Sequence, residues 1–128
     1  MTATVLDASA VIALLQQEPG AERVAAAMEG GFLISAVNFA EVATKLVERG
    51  VPRDAVHDLL SEFEPAVVDL DADLAYALAD LWLATRSVGL SLGDRACLAL
   101  SRRLALPAVT ADRSWQRLNI GVSVVPIR

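Results

Sequence analysis

One cysteine and one histidine in 128 residues remove several kinds of chemistry at the outset. Cys97 alone can form neither an internal disulfide nor a cysteine-based zinc site. His57 alone excludes RNA cleavage by a pair of histidines, and nothing in the chain resembles a Ser-His-Asp triad, a Walker loop or a GxGxxG turn. Lys45 is the only lysine and sits in a helical segment. A receiver-like phospho-acceptor would place a lysine after a late strand and adjacent acids early, so that pattern is not met. No apolar run approaches the roughly 20 residues that span a bilayer. The amino terminus lacks the basic segment, apolar stretch and small-residue site of a signal peptide. A soluble, cytoplasmic protein without a membrane partner is expected. Aromatics are scarce, at 5% against 55% hydrophobic residues, so the core must be built of Ala, Val and Leu. That composition suits helices packed on a buried parallel sheet. The length fits one domain across 1–128, large enough for a self-sufficient core.

The net charge of −5 is unevenly spread. Up to Asp94 there are 15 acids and 5 bases; from Arg95 onward six arginines face Asp112 alone. Arginine, whose planar fork suits phosphates, supplies ten of the eleven basic residues. An acidic protein with a basic carboxyl-terminal third can still meet nucleic acid, although such a third is also what a solvated helix face with acidic neighbours looks like.

Along the chain, strand patterns at Thr2–Leu6, Phe32–Ile34, Ala66–Val68, Pro107–Thr110 and Val122–Val125 alternate with helical segments. Helices are expected over Ala10–Gln17, Ala21–Glu29, from Ser35 as N-cap to about Arg49, from Pro52 through Phe63, from Asp71 as N-cap past Trp82, and over the very apolar Ala96–Leu104. A short helical turn is expected at Arg113–Leu118. In the helix after Ser35, the apolar stripe is read as Ala36, Phe39, Ala40, Ala43, Leu46 and Val47, leaving Asn38, Glu41, Lys45 and Glu48 on the other side. There is no linker or repeat. Strands alternating with helices give an α/β layer fold with a mainly parallel sheet.

Four acids stand where strands give way to helices or on the helices that follow: Asp7, Glu41, Asp94 and Asp112. Each has an ordinary explanation. Asp7 and Asp112 fit helix N-caps, Ser91-x-x-Asp94 has capping-box spacing, and Glu41 precedes Lys45 by four residues, a weakly stabilising pair. Their joint placement says more. Strand ends on one edge of a parallel sheet converge where ligands bind, and carboxylates gathered there repel one another unless a divalent cation lies among them. Asp94 also leads the most apolar helix, a costly place for an unbound charge. Asn38 and Glu41 lie one helical turn apart and can point into one space. Hard oxygen donors of this kind suit Mg²⁺ or Mn²⁺. Other acids, such as Asp54, Asp58 and Glu62, read as a solvated face, and Asp71 as an N-cap. Cys97 and the stripe of Leu78 and Trp82 read as packing, the stripe also as a subunit contact, and Trp115 as the anchor of its short turn.

With these residues in place, the chain resembles the PIN-domain ribonucleases, and among them the VapC-type toxins of bacterial toxin–antitoxin pairs. The resemblance spans essentially the whole chain. It rests on Asp7-Ala8-Ser9 after the first strand, Asn38-Phe39-Ala40-Glu41 in a helix, Ser91-Leu92-Gly93-Asp94-Arg95-Ala96-Cys97-Leu98-Ala99, and Thr110-Ala111-Asp112. It implies a three-layer α/β/α fold with a central sheet of about five strands, and metal-binding acids at Asp7, Glu41, Asp94 and Asp112. Ser9, Asn38 and Thr110 become assisting polar residues. The implied activity is Mg²⁺- or Mn²⁺-dependent endonucleolytic hydrolysis of RNA by metal-activated water, leaving a 3′-hydroxyl and a 5′-phosphate. The implied partners are a second copy of the chain and a cognate antitoxin, whose carboxyl-terminal segment blocks the metal site. Arg95 and Arg113 are the first candidates to hold RNA phosphates. Two alternatives stay open: a non-catalytic PIN-like RNA- or protein-binding module, and an RNA-processing nuclease without an antitoxin.

Overall fold

A computed structural model describes residues 2–128. The strands are β1 (Thr4–Leu6), β2 (Phe32–Ser35), β3 (Val67–Val68), β4 (Ala108–Thr110) and β5 (Val124–Pro126). The helices are α1 (Ala8–Leu15), α2 (Ala21–Ala27), α3 (Ala36–Glu48), α4 (Arg53–Leu60), α5 (Ala72–Asp80), α6 (Trp82–Thr85) and α7 (Leu92–Leu104), with 3-10 turns at Glu64–Ala66 and Arg113–Arg117. Most boundaries fall within a residue or two of those expected from the sequence.

All strand pairs are parallel, in the order β3-β2-β1-β4-β5. Val5 pairs with Leu33 on one side and Ala108 on the other, so β1 is central. The chain moves from β1 outward to β3, then crosses back to place β4 on β1's free side. This reversal puts a topological switch point between β1 and β4, and the crevice beyond their carboxyl ends is where such sheets bind ligands.

Successive strand residues point to opposite faces, and the core divides accordingly. Leu6 and Val109 join α1–α4 in one apolar cluster; Val5 and Ala108 join α5, Leu81, α7 and Trp115 in the other. The result is the expected α/β/α sandwich around a five-stranded sheet. No helix among the described residues is long and apolar enough to cross a membrane.

Three expectations about faces and helix limits are corrected. In α3 the inward residues are Asn38, Val42 and Leu46, while Ala40 and Val47 are exposed. Asn38 therefore sits in the core side of the helix, not on its polar side. Burial is tolerated because its amide is fully partnered (see below). The helix begun by Asp71 breaks at Leu81, and Trp82 is half exposed beneath the Arg86 guanidinium, 5.6 Å from its ring centroid, rather than in the core. α7 begins at Leu92, four residues before the expected Ala96, because Ser91 and Asp94 close a reciprocal capping box.

Candidate metal centre

Asp7 follows β1 directly and is only 5% exposed. It stands at the N-cap position of α1, yet its side chain caps nothing. Instead Oδ2 accepts from the Ser9 hydroxyl at 2.7 Å and from the Thr110 hydroxyl, at the end of β4, at 2.9 Å. The switch point is thus stitched by two hydroxyls onto one carboxylate. Ser9 Oγ further accepts the Ala111 N–H, and Thr110 Oγ1 the Asp112 N–H. Burial pushes the Asp7 carboxyl up to about 6; the hydroxyls pull it down, and the charges of Asp94 and Glu41 push it further up. A group so raised by burial and like charges, lying in a cleft, marks a functional-site candidate.

Glu41 reaches the same place from α3. Asn38 Nδ2 donates to Glu41 Oε1 at 2.8 Å and to the Gly93 carbonyl at 2.9 Å, while its Oδ1 accepts the Ser35 hydroxyl at 2.6 Å. The buried amide therefore ties α3, the first turn of α7 and the end of β2 together, and aims Glu41. Gly93 contributes by what it lacks: a Cβ there would overlap the Glu41 carboxylate. In the sequence Gly93 stands only as one letter of the Ser91–Ala99 segment, so this role is invisible without the packing. Lys45 pairs with Glu48 at 3.2 Å, not with Glu41, which leaves the Glu41 charge uncompensated within its helix.

Asp94 completes the group. Its Oδ2 accepts the Ser91 N–H at 2.9 Å, and the Ser91 hydroxyl accepts the Asp94 N–H at 3.1 Å. Asp7, Glu41 and Asp94 line one cavity of about 320 Å³ with Ser9. In each of the three, the described protein donors engage a single oxygen and leave the other for a further partner. Among the described residues, no three His, Cys, Asp or Glu side chains close to ligand spacing as they stand. A cation bound among them would have to draw these oxygens closer and offset their mutual repulsion. The donor set fits one: all oxygen, pre-oriented, and hard, as Mg²⁺ or Mn²⁺ requires.

Other expected site residues fall elsewhere. Asp112 is exposed and caps the 3-10 turn, its Oδ1 accepting the Ser114 N–H at 2.9 Å; it joins the site only through the Thr110 hydroxyl and does not line the cavity. Arg95 turns away: its Nη1 donates to the Leu78 carbonyl on α5 at 2.9 Å, because position 95 lies on the side of α7 that packs there. Arg113 Nε donates to the Arg128 carbonyl at 2.7 Å. Neither arginine lines the cavity, so neither is placed to hold a phosphate in it. The cations that do line it are Lys45, Arg49 and Arg128. Their positions in the sequence share no motif, so only the fold brings them together.

The PIN domain family model matches residues 4–121. The chain belongs to the PIN domain family. Its fold is also that of several solved toxin–antitoxin proteins. A chain of a toxin–antitoxin complex from Klebsiella pneumoniae superposes with a TM-score of 0.75 at 20% identity, covering 98% of each chain. The DNA-bound VapBC of Salmonella typhimurium gives 0.77 at 18% identity over 100% of each. VapC20 of Mycobacterium tuberculosis, a sarcin–ricin-loop-cleaving toxin, gives 0.74 at 20% identity, covering 94% of this PIN domain and 98% of its own chain. At such identities the likeness establishes the fold. No curated protein matches the chain by sequence.

Proposed function

We propose that this PIN domain is a divalent-metal-dependent endoribonuclease acting as the toxin of a toxin–antitoxin pair. The observation that carries the reading is the meeting of Asp7, Glu41 and Asp94, from three separate elements, around one cavity at the switch point of the sheet. Asp7 and Asp94 would hold Mg²⁺ or Mn²⁺ directly, with Glu41 as third ligand or contacting it through water, and Asp112 supporting from the flank. When bound there, the ion supplies Lewis acidity, lowering the pKa of a water and offsetting charge that develops on the phosphate.

The chain's own residues do the rest. Ser9 and Thr110 fix one oxygen of Asp7, which sets the direction of the other. Asn38 does the same for Glu41, and the Ser91 N–H for Asp94. As the water oxygen bonds to phosphorus, the P–O3′ bond breaks. Glu41, the most exposed of the three and here contacting the ion through water, would take the water's proton on its unpaired oxygen. The leaving 3′-oxygen would take one from solvent. The single histidine, His57, lies on α4, which contributes nothing to the cavity, so the acids carry the proton traffic.

Partners follow the same reading. The likeness to chains of toxin–antitoxin complexes supports a cognate antitoxin as partner; in this reading the antitoxin covers the cavity and the toxin is a homodimer. The test is RNA digestion with end analysis. Wild-type protein with Mg²⁺ or Mn²⁺ should leave 5′-phosphate and 3′-hydroxyl ends, and chelation or Asp94→Asn should stop it. Cleavage by Asp94→Asn at the wild-type rate would overturn the assignment.

A further inference from the structure

The cavity has a second set of residues that the hydrolytic step leaves unused. Glu18, in the loop after α1, lies between two arginines on its rim. Arg49 Nη1, just past the end of α3, donates to Glu18 Oε2 at 3.1 Å and also bonds Gln16 Oε1. Arg128 Nη1 stands 3.9 Å from the other Glu18 oxygen and donates to the Pro19 carbonyl at 2.8 Å. Each oxygen of one carboxylate thus faces a different guanidinium, the arrangement in which a phosphate bridges two arginine forks.

The arginines are delivered by fixed backbone. Arg128 follows buried Ile127, whose N–H donates to the Thr110 carbonyl at 3.0 Å. Gly20, at a φ of +97°, lets the α1–α2 loop run against the Ile127 carbonyl where any Cβ would collide. Arg113 holds the Arg128 carbonyl. This fixes Arg128 at the edge of the same strand end that carries Thr110. Stability does not explain the bridge, since half-exposed ion pairs contribute little; the two arginines are 42% and 40% exposed and Glu18 is 28% exposed. What the site needs is cationic help: three acids repel a phosphodiester, and the arginines once expected to offset that point elsewhere.

We propose that Arg49 and Arg128 form the seat for an RNA phosphate neighbouring the scissile one, and that Glu18 occupies this seat in the free protein as a displaceable carboxylate. Binding RNA then exchanges one anion for another between the same two guanidiniums. The proposal rests on the nuclease reading, but its test does not require cleavage.

Binding of a fluorescent single-stranded RNA oligonucleotide is measured by anisotropy across a salt series, in EDTA and in an Asp94→Asn background. Arg49→Gln and Arg128→Gln should each weaken binding about tenfold, the scale of one hydrogen-bonded charge contact. Each should also lower the slope of log affinity against log salt by about 0.7. Glu18→Gln should tighten binding severalfold, which a merely structural bridge would not do, and Arg49→Lys should restore the salt slope. Unchanged affinity and slope in both arginine variants, or weaker binding in Glu18→Gln, overturns the proposal. So does loss of binding to polyglutamate alone with RNA binding intact, which assigns the seat to an acidic protein segment. In the otherwise wild-type protein with Mg²⁺, Arg49→Gln should raise KM and keep kcat. If Asp94-dependent cleavage is present and KM is unmoved, the seat falls and the nuclease stands. If RNA binding responds as expected and wild-type protein cuts nothing, the nuclease reading falls and the seat stands.

Discussion

Asp7 is where the fold gives up stability for the site. Its carboxyl rises from 3.8 to about 6, burial being the main cause. Between those values the folded chain keeps a proton that the unfolded chain has released. Stability therefore falls as pH rises through this window, and the full penalty stands above it. For a group this buried the penalty amounts to about 3 kcal/mol at most. Asp7→Asn should remove it: thermal melts in chelator should show a variant several degrees more stable than wild type at pH 7.5, with the gain vanishing by pH 4. Equal gains at both pH values would show that Asp7 is not held ionised against burial. Gly93 offers the complementary case, in which function is lost without stability. Gly93→Ala gains up to about 1 kcal/mol of helix propensity, and the overlapped atoms belong to the flexible end of Glu41, which can swing away. The variant should melt at or slightly above the wild-type temperature yet cleave RNA at least tenfold more slowly, because Glu41 leaves the Asn38 amide and the cavity. A melt unchanged together with wild-type cleavage would remove Glu41 from the site.

At the scale of elements, α7 uses one residue twice. Asp94 closes the capping box with one oxygen and presents the other to the cavity. The two roles separate by substitution: Asp94→Asn keeps an acceptor for the Ser91 N–H and should cost only a few tenths of a kcal/mol, whereas Asp94→Ala should cost about 1 kcal/mol. Both should abolish cleavage, and equal melting of the two variants would remove the capping role. This dual use explains what was legible in the sequence. The cap signals, strand endings and order of the acids are local patterns, so β1, α3, α7 and the acids Asp7, Glu41 and Asp94 could be located from letters alone. What the sequence hid depends on long-range packing. Periodicity put Asn38 outward because amides are usually solvated, whereas Gly93, 55 residues away, supplies the carbonyl that lets it be buried. Asp112 and Arg95 stand in the expected words of the sequence, but a local cap and an α5 carbonyl claim their side chains. Glu18, Arg49 and Arg128 carry no motif, and only the closing of the sheet assembles them.

The whole molecule is organised so that the candidate ligands report on its global stability. The acids belong to the end of the central strand, to a helix in one core and to a helix in the other. Drawing them together with a cation would tie both helical layers to the sheet at the switch point, whereas the unfolded chain scatters the three along 88 residues of sequence, from Asp7 to Asp94. A ligand that binds only the folded state stabilises by about 2.7 kcal/mol at a hundredfold excess over its dissociation constant. Mg²⁺ or Mn²⁺ at such an excess should therefore raise the melting temperature of the wild-type protein by several degrees at pH 7.5. The shift should shrink as pH falls through 6, where Asp7 takes up a proton that the cation must displace. Asp7→Asn should start from a higher melting temperature and gain little from either ion. Equal metal-induced shifts in wild type and Asp7→Asn, or a wild-type shift indifferent to pH between 5 and 7.5, would mean that the cation binds away from the switch point and that the three carboxylates are not its ligands.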